Sequence, residues 1–119
     1  MAAALENFSN VYAACKVALL GDMLELGEES LAEHVAVIKS ACSRGHAQDY
    51  FVGKEFQAAS GALASELGAE AAAQLLSNAY FFSTSDELAA HLASEHLSGA
   101  TILIKGSRGT RMENVIPVL

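Results

Sequence analysis

The chain has 119 residues, 52% of them hydrophobic but only 7% aromatic, no tryptophan, and a formal net charge of −7. This length suits a single domain with one core, and the acidic balance excludes general binding to nucleic acid or to an anionic membrane, both of which need a surplus of cations. No stretch approaches the ~18 uninterrupted apolar residues of a membrane span, no basic region followed by an apolar run opens the chain, and two isolated cysteines, Cys15 and Cys42, read as reduced, buried small hydrophobes of a cytoplasmic protein.

In chain order, Leu5, Phe8 and Tyr12 share one face of a first helix spanning residues 2–12. KVALL at 16–20 is a short apolar run stopped by Gly21-Asp22, as a buried strand would be. Ser30 and Glu33 have capping-box spacing, and Leu31, Val35, Ile38 and Cys42 follow at helical steps until Gly45. DYFV at 49–52 is a second strand, followed by a helix turning Phe56, Ala59, Leu63 and Leu67 inward. Gly68 marks a break before a short helix at 69–76. AYFF at 79–82 is a third strand, Thr84 and Glu87 repeat the capping box, and Leu88 and Leu92 carry that helix toward Gly99. TILI at 101–104 is the fourth strand, and a last helix over 112–119 is disturbed by Pro117.

Apolar strands alternating with helices imply a parallel sheet covered on both faces. The expected fold is therefore a three-layer, Rossmann-like α/β domain with a mostly parallel sheet of four or more strands. Ligands of such sheets gather beyond the carboxyl ends of the strands. Gly21-Asp22 and Lys105-Gly106 should then lie at the same edge, and Asp22 and Arg108 are expected on turns outside the core.

Three of the seven basic residues, Lys105, Arg108 and Arg111, fall within KGSRGTR at 105–111. The glycines permit close approach of a ligand to the backbone, and the arginines offer two-pronged hydrogen bonding to a carboxylate or phosphate. A local anion site would reconcile this cluster with the acidic chain. Equally, the arginines could pair with surface carboxylates while the glycines simply make the turn. Asp22 could cap a helix start, and Glu25, Glu28, Glu29 and Glu33 could form a solvated acidic face. His34 should border the core; His46, His91 and His96 show no paired ligand spacing, and no metal site is expected. A nucleotide-phosphate loop is missing, because KGS at 105–107 reverses the G-K-[ST] order.

LGDMLELGEES at 20–30 with His34 beyond it, VGKEF at 52–56 and KGSRGTRME at 105–113 resemble the C-terminal domain of the Mur ligases, in particular of those that add D-alanyl-D-alanine to UDP-N-acetylmuramoyl tripeptide. The resemblance covers essentially the whole chain in order, and MAAALENF looks like the helix that follows the hinge from the family's ATPase domain. It implies a cytoplasmic, monomeric enzyme of peptidoglycan synthesis with two upstream domains absent from this chain. One holds the UDP-sugar peptide and the other the phosphate loop and Mg2+. Under that resemblance Asp22 would contact ATP, and Lys105, Ser107, Arg108 and Arg111 would contact D-alanyl-D-alanine or phosphate. This chain would carry no catalytic residue, hold neither ATP nor Mg2+ tightly, and be inactive alone. Two other readings are a signalling receiver domain and a partner-binding module. The first needs an aspartate where Phe82-Ser83-Thr84 stands; the second would leave the KGSRGTR loop mobile and unoccupied.

Overall fold

The computed structural model describes residues 2–23, 27–95 and 99–118. Glu25, His96 and Leu119 lie outside the described residues. Strands β1 (Lys16–Gly21), β2 (Gln48–Val52), β3 (Ala79–Phe82) and β4 (Thr101–Lys105) alternate with helices α1 (Ala2–Ser9), α2 (Ser30–Cys42), α3 (Lys54–Leu67), α4 (Ala69–Leu75) and α5 (Ser85–Glu95). The strands form one sheet of order β3-β2-β1-β4, every pairing parallel. The expected fold class is what the chain adopts.

Two apolar layers hold the sheet. On one face Ala18, Leu20 and Phe51 pack under Leu5 of α1, Val37, Ile38 and Ala41 of α2, and Phe56, Ala59 and Leu63 of α3. On the other, Val17, Leu19, Tyr50 and Val52 meet Leu88 and Leu92 of α5 with Met112 and Val115. Alternate residues of β1 and β2 thus serve opposite faces, which is why both strands read as continuous apolar runs. Each fully buried leucine or phenylalanine contributes about 1.5–3 kcal/mol of transfer free energy.

Several helix ends differ from their sequence reading. Helix α1 stops at Ser9 because Lys16 Nζ donates to the carbonyls of Phe8 (2.9 Å) and Ser9 (3.1 Å), satisfying its last turn, and Tyr12 is left fully in solvent. No capping box forms at Ser30. A 3-10 turn at Gly27–Glu29 runs directly into α2, which makes Ser30 its first residue and frees the Ser30 hydroxyl to donate to Glu55 Oε2 at 2.9 Å. The buried face of α2 is accordingly rotated: His34, Val37, Ile38 and Ala41 point inward while Leu31 is 46% exposed. Leu67, at the open end of α3, is also exposed. The Thr84–Glu87 box does form, with Glu87 N donating to Thr84 Oγ1 and Thr84 N to Glu87 Oε1, both at 3.2 Å. The final segment, Met112–Val118, is 3-10 rather than α, with Pro117 inside it.

Connections β1–β2–β3 advance in one direction, after which β4 returns to the far side of β1. Strand order therefore reverses between β1 and β4, where an open α/β sheet leaves a crevice at its carboxyl edge. Gly21 and Gly106 meet there. A Cβ on Gly106 would lie 3.0 Å from Gly21 Cα, and one on Gly21 would press to 2.8 Å from Met112 Cγ. Only bare backbones let the two strand ends close this tightly.

Candidate functional site

The two turns that frame this crevice lie at one edge, as expected. Asp22 O accepts from Ser107 N (3.1 Å) and Thr110 Oγ1 (3.2 Å), so the turn after β1 is bonded directly to the loop after β4. Beside them opens a cleft of ≈320 Å³. Its wall is built from four strand ends or helix starts: Asp22 after β1, Gly53 and Lys54 after β2, Ser83 to Asp86 between β3 and α5, and Gly109 to Arg111 after β4, with Asn114 closing one side.

Asp22 is not on a turn outside the core. It is 4% exposed, and its carboxylate caps α3: Oδ2 accepts from Glu55 N and Oδ1 from Phe56 N, both at 3.0 Å. An acidic group at a helix start satisfies orphan amides and complements the helix dipole. The helix capped is two elements further along the chain than the one Asp22 precedes. Gly53 makes this reach possible, since a Cβ there would sit 2.2 Å from Asp22 Cγ and its φ is +117°.

The basic residues are placed differently. Lys105, Arg108 and Arg111 are all exposed, and Ser107 is partly buried. Arg108 begins a short 3-10 turn (Arg108–Thr110), and Arg111 follows it in the left-handed region with φ 53° and ψ 47°. Arg111 lines the cleft together with Asp22, whereas Lys105, Ser107 and Arg108 lie outside its lining. Lys54, Asp86 and Asn114 were not singled out as site residues from the sequence. Lys54 carried a usable signal, a cation immediately after an apolar strand; Asn114 carried none, and joins the site by donating to Ser85 Oγ and Asp86 Oδ1, both at 3.3 Å.

Among the described residues, Lys39 pairs with Glu66, Lys16 caps α1, and Arg44 binds Ser9 and Ser40, but Lys54, Lys105, Arg108 and Arg111 form no ion pair. Four cations at the carboxyl edge without an ion pair among the described residues, with Asp86 also in the lining of the cleft, suit a ligand bearing a carboxylate or phosphate and an amine. No group of three His, Cys, Asp or Glu side chains able to hold a metal ion occurs among the described residues. Nor is any helix there long and apolar enough to cross a membrane.

Residues 1–108 match the family model described as "Mur ligase, glutamate ligase domain". The chain belongs to this Mur ligase family. It is 29% identical over 116 residues to the UDP-N-acetylmuramoyl-tripeptide--D-alanyl-D-alanine ligase of Rickettsia prowazekii (strain Madrid E), an alignment covering 98% of this chain and 24% of that protein. Two crystal structures of MurF from Acinetobacter baumannii superpose with TM-scores of 0.72 and 0.70, at 25% and 24% identity, over 97% of this chain and 24% and 23% of theirs. The Mur ligase domain described here thus spans about a quarter of the length of these relatives. The family match ends at Arg108, inside the basic loop, while Arg111 and Asn114 lie beyond it. Away from the switch point, the Mur ligase domain also buries a polar pair. His46 Nδ1 and Asp49 Oδ1 are 2.7 Å apart in the core at the opposite edge, where burial above all pushes the Asp49 carboxyl up, against the pull of His46.

Proposed function

We propose that this chain is the C-terminal domain of an ATP-dependent ligase that joins D-alanyl-D-alanine to UDP-N-acetylmuramoyl tripeptide in peptidoglycan precursor synthesis. The observation that carries the reading is the set of four basic side chains without ion pairs among the described residues, gathered at the switch-point edge of a Mur ligase domain. The family and the activity of its D-alanyl-D-alanine-adding relative supply the substrate class.

In the proposed reaction the tripeptide carboxylate attacks the γ-phosphoryl group of ATP and ADP leaves. The dipeptide amine then attacks the acyl phosphate, gives up a proton, and expels inorganic phosphate. This domain supplies positioning and charge screening rather than a reacting group. Arg108, Arg111, Lys105 and Ser107 receive the dipeptide carboxylate or a phosphate, and Lys54 shares that task. Asp86 faces the dipeptide ammonium. Asp22 contributes to the ATP side mainly by fixing the cleft floor, because both carboxylate oxygens are occupied by α3 amides. Upstream domains supply the tripeptide site, the phosphate loop and the Mg2+ site; the metal screens the phosphates when bound, and the described residues here provide no cage for it. The enzyme is a cytoplasmic monomer, and this domain by itself catalyses nothing.

The test is kinetic, in the full-length enzyme. Arg108→Ala and Arg111→Ala should each raise KM for D-alanyl-D-alanine far more than KM for ATP, by the equivalent of about 2–4 kcal/mol, with lysine restoring only part because it lacks the planar fork. Unchanged Michaelis constants with a lowered melting temperature would make the cluster a structural turn.

A further inference from the structure

The segment after β1 is held by a side chain to which the reaction above gives no role. His34 is completely buried on α2, edge-on to Phe56 with ring centroids 4.7 Å apart. Its Nε2 receives the Met23 amide at 3.0 Å, and its Nδ1 lies 2.6 Å from the Ser30 carbonyl. An amide can only donate and a carbonyl can only accept, so both contacts are satisfied by one species alone: neutral imidazole with the proton on Nδ1. The second contact of Nδ1, Ser30 Oγ at 3.3 Å, agrees with this, since that hydroxyl spends its own proton on Glu55 Oε2. Glu55 in turn gives its amide to Asp22 Oδ2. The imidazole therefore joins the two ends of the β1–α2 connection, Met23 and Ser30, and the same network closes on Asp22 through α3.

We propose that His34 is a positioning residue, locked as the neutral Nδ1–H tautomer, that clamps Met23 to Ser30 and so fixes Asp22 and the nucleotide side of the cleft. The link to nucleotide rests on the ATP-dependent ligase reading; the clamp itself does not. His34 touches no substrate. It acts through the Met23 amide, which shares one planar peptide unit with the Asp22 carbonyl that holds Ser107 and Thr110, and its Nε2 lies 3.9 Å from Asp22 Oδ1. A fault in the clamp should therefore be felt on the Asp22 side of the cleft and, through that shared peptide, at the basic loop as well.

Two measurements decide the matter. In the 119-residue chain, long-range proton–nitrogen NMR of the ring should show Nδ1 protonated and Nε2 bare, and an Nε2–H tautomer would overturn the proposal. In the full-length ligase, His34→Gln keeps an acceptor where Nε2 lies, and His34→Leu removes it. The leucine variant should raise KM for ATP about tenfold, while glutamine recovers most of that effect. Glutamine behaving no better than leucine, or a leucine variant with an unchanged KM for ATP, would overturn the positioning role. If the leucine variant does not fold, the wild-type tautomer and the glutamine variant still decide. A full-length protein that ligates no D-alanyl-D-alanine would sink the ligase reading, whereas the clamp stands or falls on the ring tautomer and on retention of the Met23 amide shift in His34→Gln.

Discussion

The turns after β1 and β4 touch each other, yet they use their charges in opposite ways. Asp22 is buried, and its two carboxylate oxygens and its carbonyl all hold other parts of the fold. Lys105, Arg108 and Arg111 are exposed, and among the described residues none has an ionic partner. A charge that already makes its full set of bonds can shape a site but has little left to offer a ligand. Uncommitted charges contribute little to the fold and are available for binding. The contrast predicts that substitutions at the first turn are read in stability and those at the second in affinity.

Gly53→Ala should do the most damage, because it forces a Cβ into the Asp22 carboxylate and a side chain into a left-handed backbone. A loss of about 3 kcal/mol or more is expected in urea denaturation of this domain, and a change under about 1 kcal/mol would break the contrast at its root. Asp22→Ala comes next, at about 2–3 kcal/mol, since it strands the Glu55 and Phe56 amides at the start of α3. Asp22→Asn retains one acceptor oxygen and should recover about half, a difference visible in thermal melts.

Asp49 sharpens the comparison from the opposite edge, where a buried carboxyl has a partner but an unfavourable setting. Burial raises its pKa above the ordinary 3.8, so the native state keeps a proton that the unfolded chain has already released. The unfolded state then binds fewer protons, and stability falls as pH rises through the window between 3.8 and the raised value. Asp49→Asn keeps an oxygen acceptor for His46 Nδ1 and should flatten this dependence, gaining most above the window and little below pH 3.8. Denaturation curves across pH would check it; an unchanged slope would count against the burial argument. Arg111→Gly should have the smallest effect on the fold and the clearest sign. Relief of a left-handed arginine is worth about 1 kcal/mol or less, so stability should hold or rise slightly while dipeptide affinity in the full-length enzyme falls.

How far the sequence revealed this follows from the range of the forces involved. Strands were legible because burial on both faces leaves unbroken apolar runs at 17–20 and 50–52, and the Thr84–Glu87 box because its partners are three residues apart. The Ser30 box failed because the 3-10 turn at Gly27–Glu29 makes Ser30 the first helical residue, and its hydroxyl donates to a partner 25 residues away, Glu55. For the same reason α2 buries His34 rather than Leu31: the imidazole satisfies a backbone donor 11 residues away, which helical periodicity cannot encode. The two edges of the site were visible as glycine and charge at strand ends. The wall made by Lys54, Asp86 and Asn114 was not, because it exists only once β2, β3 and the final 3-10 segment converge.

The pairing of β1 with β4 has a kinetic consequence. Lys16 lies opposite Thr101 and Leu20 opposite Lys105, so these partners are separated by 85 positions along the chain (101 − 16 and 105 − 20). The β1–β2 and β2–β3 pairings span about 30 positions each, as Val17 opposite Gln48 and Asp49 opposite Ala79 show. Closing the longest loop costs the most chain entropy and is repaid only after the first three strands have formed a surface to dock on. The basic loop should thus take its place against Asp22 late in sheet assembly, and a molecule that has not paired β4 with β1 would present no cradle for an anion.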